Sequence, residues 1–221
     1  MFKQKSITNR AAQAVFLAAS LFASQSAMSL EKPEYTVLYM EGDIEYRQYE
    51  PYIVSESVVV EHNGKYREAG MEGVSRLLGY IRGENQGPEK TSEKISMTLP
   101  VEQNMAPDGW RVSLKLPAKY TLDTAPVPTD PRVRLREVPR RLMAVLRYSG
   151  RWTEENFSGK MSELKTAVDA QQVKQIGEML TALYNPPITP PFMRRNEVMV
   201  EVTSLPETAV DQLAIRTVAA N

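Results

Sequence analysis

The chain has no cysteine and one histidine, His62, in 221 residues. Without thiols there is no disulfide, no thiolate zinc site and no thioether-attached haem. A single imidazole excludes a multi-histidine metal centre, and a Ser-His-Asp triad would have to be built on His62. Charge of one sign is also missing: 27 Lys and Arg face 27 Asp and Glu, so nothing resembles the basic footprint of a nucleic-acid binder. Neither a phosphate-binding Walker loop nor a dinucleotide glycine fingerprint occurs. No apolar run reaches the roughly 20 residues that a membrane-spanning helix needs.

The apolar run Ala11–Ala23, broken only by Gln13 and Ser20, follows the basic residues Lys3, Lys5 and Arg10 and precedes the small-x-small triplet Ala27-Met28-Ser29. That order is the pattern of a secretory signal peptide over residues 1–29, of the bacterial export type, which directs the mature chain to the periplasm. A buried N-terminal helix is the competing reading, and the basic flank argues against it. No cysteine follows to carry a lipid anchor. Removal of three basic residues leaves 24 basic against 27 acidic, a balance of −3. The roughly 190 remaining residues suffice for one core, taken as a domain over 30–205 with a tail over 206–221 that is weakly amphipathic.

Within that domain, Tyr35–Met40 reads as a strand, and Ile44–Tyr49 alternates with Ile44, Tyr46 and Gln48 on one face. Pro51 interrupts before the β-branched run Ile53–Glu61, and His62-Asn63-Gly64 has turn chemistry. The period then changes. Met71, Val74, Leu77, Leu78 and Ile81 fall at helical spacing, with Glu68, Glu72, Ser75, Arg76 and Arg82 on other faces. Gly70, Gly73 and Gly79 weaken this helix by about 1 kcal/mol each against Ala, and they open it to close approach by a sheet or a flat ligand. Gly83–Pro88 reads as a loop and Ile95–Glu102 as a strand placed by Pro100 at an edge or bulge. Arg111–Leu116, Val133–Val138, Leu142–Tyr148 and Glu197–Val202 read as further strands. Thr153 caps a helix with the stripe Phe157, Met161, Leu164 and Val168.

An offset of 89 carries Ile44 onto Val133, Tyr46 onto Leu135, Arg47 onto Arg136, Ile53 onto Leu142 and Val54 onto Met143. The repeated strand-strand-helix-strand order favours an internal duplication over chance agreement of amphipathic strands. It predicts an α+β fold with two helices outside a pseudo-twofold sheet or barrel.

Five segments in order, IEYRQYEPY, LLGYIRGENQG, EKISMTLPVE, APVPTD and YNPPITPPFMRRNEV, resemble SOUL haem-binding proteins from about Tyr35 to Val202. The most specific are Met97-Thr98-Leu99-Pro100-Val101 and Tyr184-Asn185-Pro186-Pro187 followed by Arg194-Arg195-Asn196-Glu197. The resemblance implies a distorted antiparallel β-barrel of two repeats flanked by two α-helices, similar to gyrase-inhibitor-like effector-binding domains. It implies non-covalent binding of haem or another porphyrin, without turnover, against the first helix and the late loop. On this chain those are Met71, Val74 and Leu78 and, in the loop, Ile188, Pro190, Phe192 and Met193. Arg67, Arg82, Arg194 and Arg195 are the cations for the propionates. One branch of the family has a histidine proposed as axial ligand in the second strand; Gln48 stands there in this chain.

His62 is the first candidate for iron ligation, although its place before an Asn-Gly turn favours an exposed loop residue. Met71, Met97 and Met193 carry thioethers, with core filling the ordinary use of Met97. Tyr35, Tyr39, Tyr46, Tyr49 and Tyr52 read as strand packing before iron ligands. For Arg194 to Glu197, orientation of the last strand through buried hydrogen bonds competes with ligand contact. The functional alternatives to a haem carrier, buffer or scavenger are a small-molecule hydrolase or effector-binding module on the same fold, and a protein-interaction role with an unused pocket.

Overall fold

Both faces of the second strand are covered, and this decides the architecture. In the computed structural model, which describes residues 30–60 and 65–210, β1 (Tyr35–Glu41) turns into β2 (Ile44–Tyr49). Ile44 and Tyr46 enter one apolar cluster and Tyr49 enters another. β3 (Tyr52–Val59) follows, then helix α1 (Tyr66–Arg82), the short β4 (Asn85–Gln86), β5 (Val101–Ala106), β6 (Gly109–Lys115) and β7 (Val127–Pro128). The second half holds β8 (Val133–Val138), β9 (Arg141–Tyr148), helix α2 (Glu154–Ala170), β10 (Gln175–Leu183), a 3-10 turn (Pro191–Met193) and β11 (Asn196–Val202).

Nine strands form one antiparallel sheet in the order β1-β2-β9-β11-β10-β5-β6-β3-β8, and β4 pairs separately with β7. Alternation along β9 distributes the core: Ala144 and Leu146 pack beneath α2, while Met143 and Val145 face the opposite side. On that opposite side Val54 of β3 and Val138 of β8 join Leu180, Ala182 and Met199, so the sheet curls until its two halves share an apolar interior. α2 seals its half with Phe157, Leu164 and Val168, each buried, where a fully buried side chain of this size contributes about 1.5–3 kcal/mol. Its start is fixed by Thr153, whose side chain accepts from Asn156 N. α1 covers the other half with Leu77, Tyr80 and Ile81 against Val112, Leu114 and Val133.

Three expectations, on the barrel, on one strand and on Arg76, are corrected, and one strand, β10, was not read from the sequence at all. The sheet is open where a barrel was expected: the pairing ends at β1 and β8, and β8 carries exposed Arg134, Arg136 and Glu137, charges that keep an edge solvated. The strand expected over Ile95–Glu102 begins only at Val101, because Ile95 N donates to Ile81 O and Leu99 N to Glu31 O instead of joining a ladder. The long β10 carries no alternation in the sequence; Gly177 has a positive φ of 69° and the register breaks between Ile176 and Leu180. Arg76, assigned to a polar face, is buried and donates to Ser57 Oγ and Val58 O.

Apart from β1, the sheet order reads alike from either end: β2, β9, β11, β10 mirror β8, β3, β6, β5. Ile44 pairs with Leu146 and Ser57 with Val133, so the sequence offset of 89 carries one register onto the other.

Candidate functional site

The outward stripe of α1 runs Arg67, Met71, Val74, Leu78 and Arg82, spaced by three and four residues on one side of the helix. Val74 and Leu78 are half-buried against the cluster under α1, whereas Met71 is 66% exposed. Arg67 and Arg82 are exposed and make no ion pair among the described residues. The buried side of the helix is set by small residues. A Cβ at Gly73 would lie 2.5 Å from Val112 Cγ2, and one at Gly70 would lie 2.5 Å from Gln103 Oε1. These glycines therefore admit the sheet, and not a ligand, to the helix surface.

The second segment is the loop between β10 and β11. Its polar groups turn inward. Asn185 Oδ1 accepts from Arg195 N at 2.6 Å, and Thr189 N donates to Pro186 O at 3.0 Å. Arg194 donates to Thr189 O at 2.8 Å and to Pro187 O at 2.7 Å, with its guanidinium 4.3 Å from the Trp152 ring centroid. Trp152 in turn donates to Asn196 Oδ1 at 2.8 Å. With its backbone held in this way, the loop presents Ile188 (91% exposed), Phe192 (78%) and Met193 (64%) to water, beside exposed Pro190. Exposed apolar side chains grouped on a braced loop make this the candidate binding surface. Arg194 thus braces the loop itself and not the last strand.

Both segments border the N-terminal end of α2. Tyr66 in the first turn of α1 stacks on Phe157 of α2 with centroids 4.1 Å apart. Gly150 N, just before α2, donates to Pro191 O at 2.9 Å.

Behind the loop lies a buried charge cluster that sequence reading did not assemble. Glu197 Oε2 accepts from Arg47 Nη1 at 3.0 Å and from the Tyr184 hydroxyl at 2.8 Å. Its Oε1 accepts from Arg47 Nη2 at 3.1 Å and from Arg195 Nη2 at 2.7 Å. Burial alone would raise the Glu197 carboxyl, but the hydrogen bonds and charges of Arg47 and Arg195 outweigh it and hold the group below the ordinary carboxylate range. Burial raises the Tyr184 and Tyr49 hydroxyls, so both stay protonated; Tyr184 donates to Glu197, and Tyr49 accepts from Arg47 Nη1 at 3.1 Å. Every Glu197 lone-pair direction is occupied, which makes the cluster a lock between β2 and β11 and leaves no base to act on a substrate. The visible hint was Arg47 and Glu197 each standing beside an apolar or aromatic neighbour in its strand, Tyr46 for the first and Val198 for the second.

His62 lies outside the described residues. Gln48 is half-buried on β2, and Met97 is half-buried against the cluster under α1. Among the described residues, no three His, Cys, Asp or Glu side chains converge on a metal site.

Fold and surface together define an α+β protein with a braced apolar loop and a cation-ended helix stripe. The chain belongs to the SOUL heme-binding protein family, whose family model matches residues 30–201. Heme-binding protein 1 of Xenopus tropicalis is 29% identical over 145 residues, 64% of this chain and 75% of that protein, and its Xenopus laevis counterpart matches to the same extent. Among solved structures, the C-terminal domain of EcmrR superposes with a TM-score of 0.55 at 7% identity, over 75% of this chain and 100% of that one. That likeness concerns the fold alone.

Proposed function

We propose that this protein binds haem or a related porphyrin non-covalently, as a periplasmic carrier, buffer or scavenger that performs no turnover. The observation that carries the reading is the exposure of Met71, Ile188, Phe192 and Met193 on two segments that flank the start of α2. A flat apolar macrocycle laid on such side chains removes them from water. Arg67, in the first turn of α1 beside that surface, has an uncommitted guanidinium for a propionate, while Arg82 stands at the far end of the helix, about 22 Å along its axis. Family membership and the relatives named heme-binding protein 1 support the same ligand. Bound haem would supply a broad apolar plane and two anionic arms; the residues bury the plane, and Arg67 meets one of the arms. The palindromic strand order and shared register support the reading of the chain as two repeats. The export signal over residues 1–29 rests on the sequence pattern, and N-terminal sequencing of protein from a periplasmic fraction tests it.

Titration of the mature protein with haemin, followed at the Soret band and by tryptophan fluorescence, tests the ligand. Saturable one-to-one binding of both haemin and iron-free protoporphyrin is expected, since burial and not iron ligation supplies the affinity. Absence of saturable binding for both sinks the proposal.

A further inference from the structure

A separate cavity of about 510 Å³ opens between the β2–β3 turn, the ends of β6 and β8, and the loop from Leu116 to Asp123. Its volume falls within the roughly 300–1,000 Å³ of small-molecule sites. No residue of the α1 stripe or of the 186–194 loop lines it. Its wall is apolar in Ile53, Leu116, Pro117 and Leu122 and aromatic in Tyr52 and Tyr120. Leu122 is 44% exposed, leaving apolar surface at the mouth.

The charge of this cavity is one-sided. Glu34, Glu50, Asp123 and Glu137 line it against one cation, Lys115. Lys115 is buried and already ion-paired with Glu31. Glu50 is neutralised by Arg140 at 2.9 Å. Glu34, Asp123 and Glu137 have no ion-pair partner among the described residues. Three uncompensated carboxylates around an apolar wall repel the propionates of a porphyrin and attract positive charge. They are too dispersed to chelate a metal ion, because no three carboxylates among the described residues meet the geometry of a metal site. A cation whose charge sits on an apolar body satisfies both the wall and the rim.

We propose that this cavity is a second binding site that takes organic cations with an apolar body, such as hydrophobic quaternary ammonium compounds. It stands independently of the porphyrin reading, since the two surfaces share no residue. The test is amide NMR of the mature protein titrated with benzyltriethylammonium, and in parallel with the anion 4-tert-butylbenzoate. Saturable shifts at Ile53, Tyr120 and Leu122 are expected with the cation, with affinity for the anion at least about 10-fold weaker. The double variant Glu34→Gln/Glu137→Gln, which changes two exposed side chains and leaves the core intact, is expected to weaken the cation about 5- to 20-fold. Leu122→Arg is expected to abolish its binding while preserving the fold. Saturating haemin should leave the cation titration unchanged. The proposal is overturned if the cation gives no saturable shifts at these residues, if the anion binds equally, if the carboxylate variant binds as the parent does, or if haemin displaces the cation.

Discussion

Arg47 on β2 reaches Glu197 on β11 across the intervening β9, with Nη1 3.0 Å from Oε2 and Nη2 3.1 Å from Oε1. Two strand spacings separate the backbones, about 4.8 Å each, a span that a long forked guanidinium bridges with both prongs. Side-chain exposure is 1% for Arg47 and 0% for Glu197, so neither charge has water to fall back on. Removing one partner breaks the bidentate contact and leaves the other buried with a single remaining ion pair, Arg195 for Glu197 and Glu45 for Arg47, at a cost of up to about 3–5 kcal/mol. Glu197→Gln and Arg47→Met should each lower the urea-unfolding free energy by that order, and Arg47→Lys should fall well short of rescue because an ammonium makes no bidentate contact. A loss under about 1 kcal/mol in both single variants would show that the pair is not the lock described.

The same pair predicts a pH dependence. The folded-state Glu197 carboxyl lies below its ordinary 4.5, so the folded protein holds fewer protons than the unfolded chain as acid is added. Its stabilising share is therefore complete above 4.5 and is lost as pH falls through the lower folded value. Carbon-13 titration of the Glu197 side chain should give a midpoint under 4.5, with the urea midpoint falling over that acid window. A midpoint at or above 4.5 would mean that burial wins over the guanidiniums.

Much of the frame was legible because alternation and turn residues are local signals. Ile44–Tyr49 and Val133–Val138 have the bounds read from sequence, and Thr153 caps α2 as expected. The failures share a physical cause in tertiary partners. Leu99 N finds Glu31 O, and β10 is kept in the sheet by β5 and β11 despite Gly177. Helical periodicity revealed an apolar stripe on α1 but not which part the sheet covers; Leu77 and Ile81 are buried while Met71 stays in water. Arg47 and Glu197 lie 150 residues apart, and no spacing rule connects them. The acid-rimmed cavity draws on four separate stretches of chain and has no sequence signature at all.

Exposure separates function from stability at the loop. Phe192 and Ile188 have little left to lose in the folded state, so Phe192→Ser and Ile188→Ser should move the unfolding free energy by no more than about 0.5 kcal/mol. If a porphyrin covers them, each substitution removes part of the roughly 1.5–3 kcal/mol available from burying such a side chain, or about 10-fold in Kd. Soret titration beside urea unfolding checks this, and full-strength porphyrin binding by the double variant would exclude the loop from the site.

The cations divide by role. Arg67 is free to meet a propionate, while Arg194 spends donors on Thr189 O and Pro187 O. Arg67→Gln should weaken protoporphyrin about 5-fold yet leave its dimethyl ester unaffected, because the ester has no carboxylate to pair. Arg194→Ala should weaken acid and ester by the same factor and speed amide exchange over residues 186–193. A selective loss of the acid in Arg194→Ala would instead make Arg194 a propionate contact.

Gly73 sets two known effects against each other. Alanine is the better helix former by about 1 kcal/mol, which taken alone predicts that Gly73→Ala stabilises α1. Its Cβ, however, would sit 2.5 Å from Val112 Cγ2 and 2.6 Å from Val112 Cβ. Val112 is fully buried on β6 and the contact includes its branch carbon, so the side chain cannot swing clear without shifting the helix. Overpacking of this kind costs about 1–3 kcal/mol and should outweigh the propensity gain, giving a net destabilisation with the tryptophan emission altered near Trp110 of the same strand. Val112→Ala removes the clashing methyl groups, so Gly73→Ala made in that background should cost less than it does alone. A double-mutant cycle by urea unfolding measures the coupling. Additive effects, or a Gly73→Ala variant more stable than the parent, would show that the close approach of α1 to the sheet is not what glycine serves at this position.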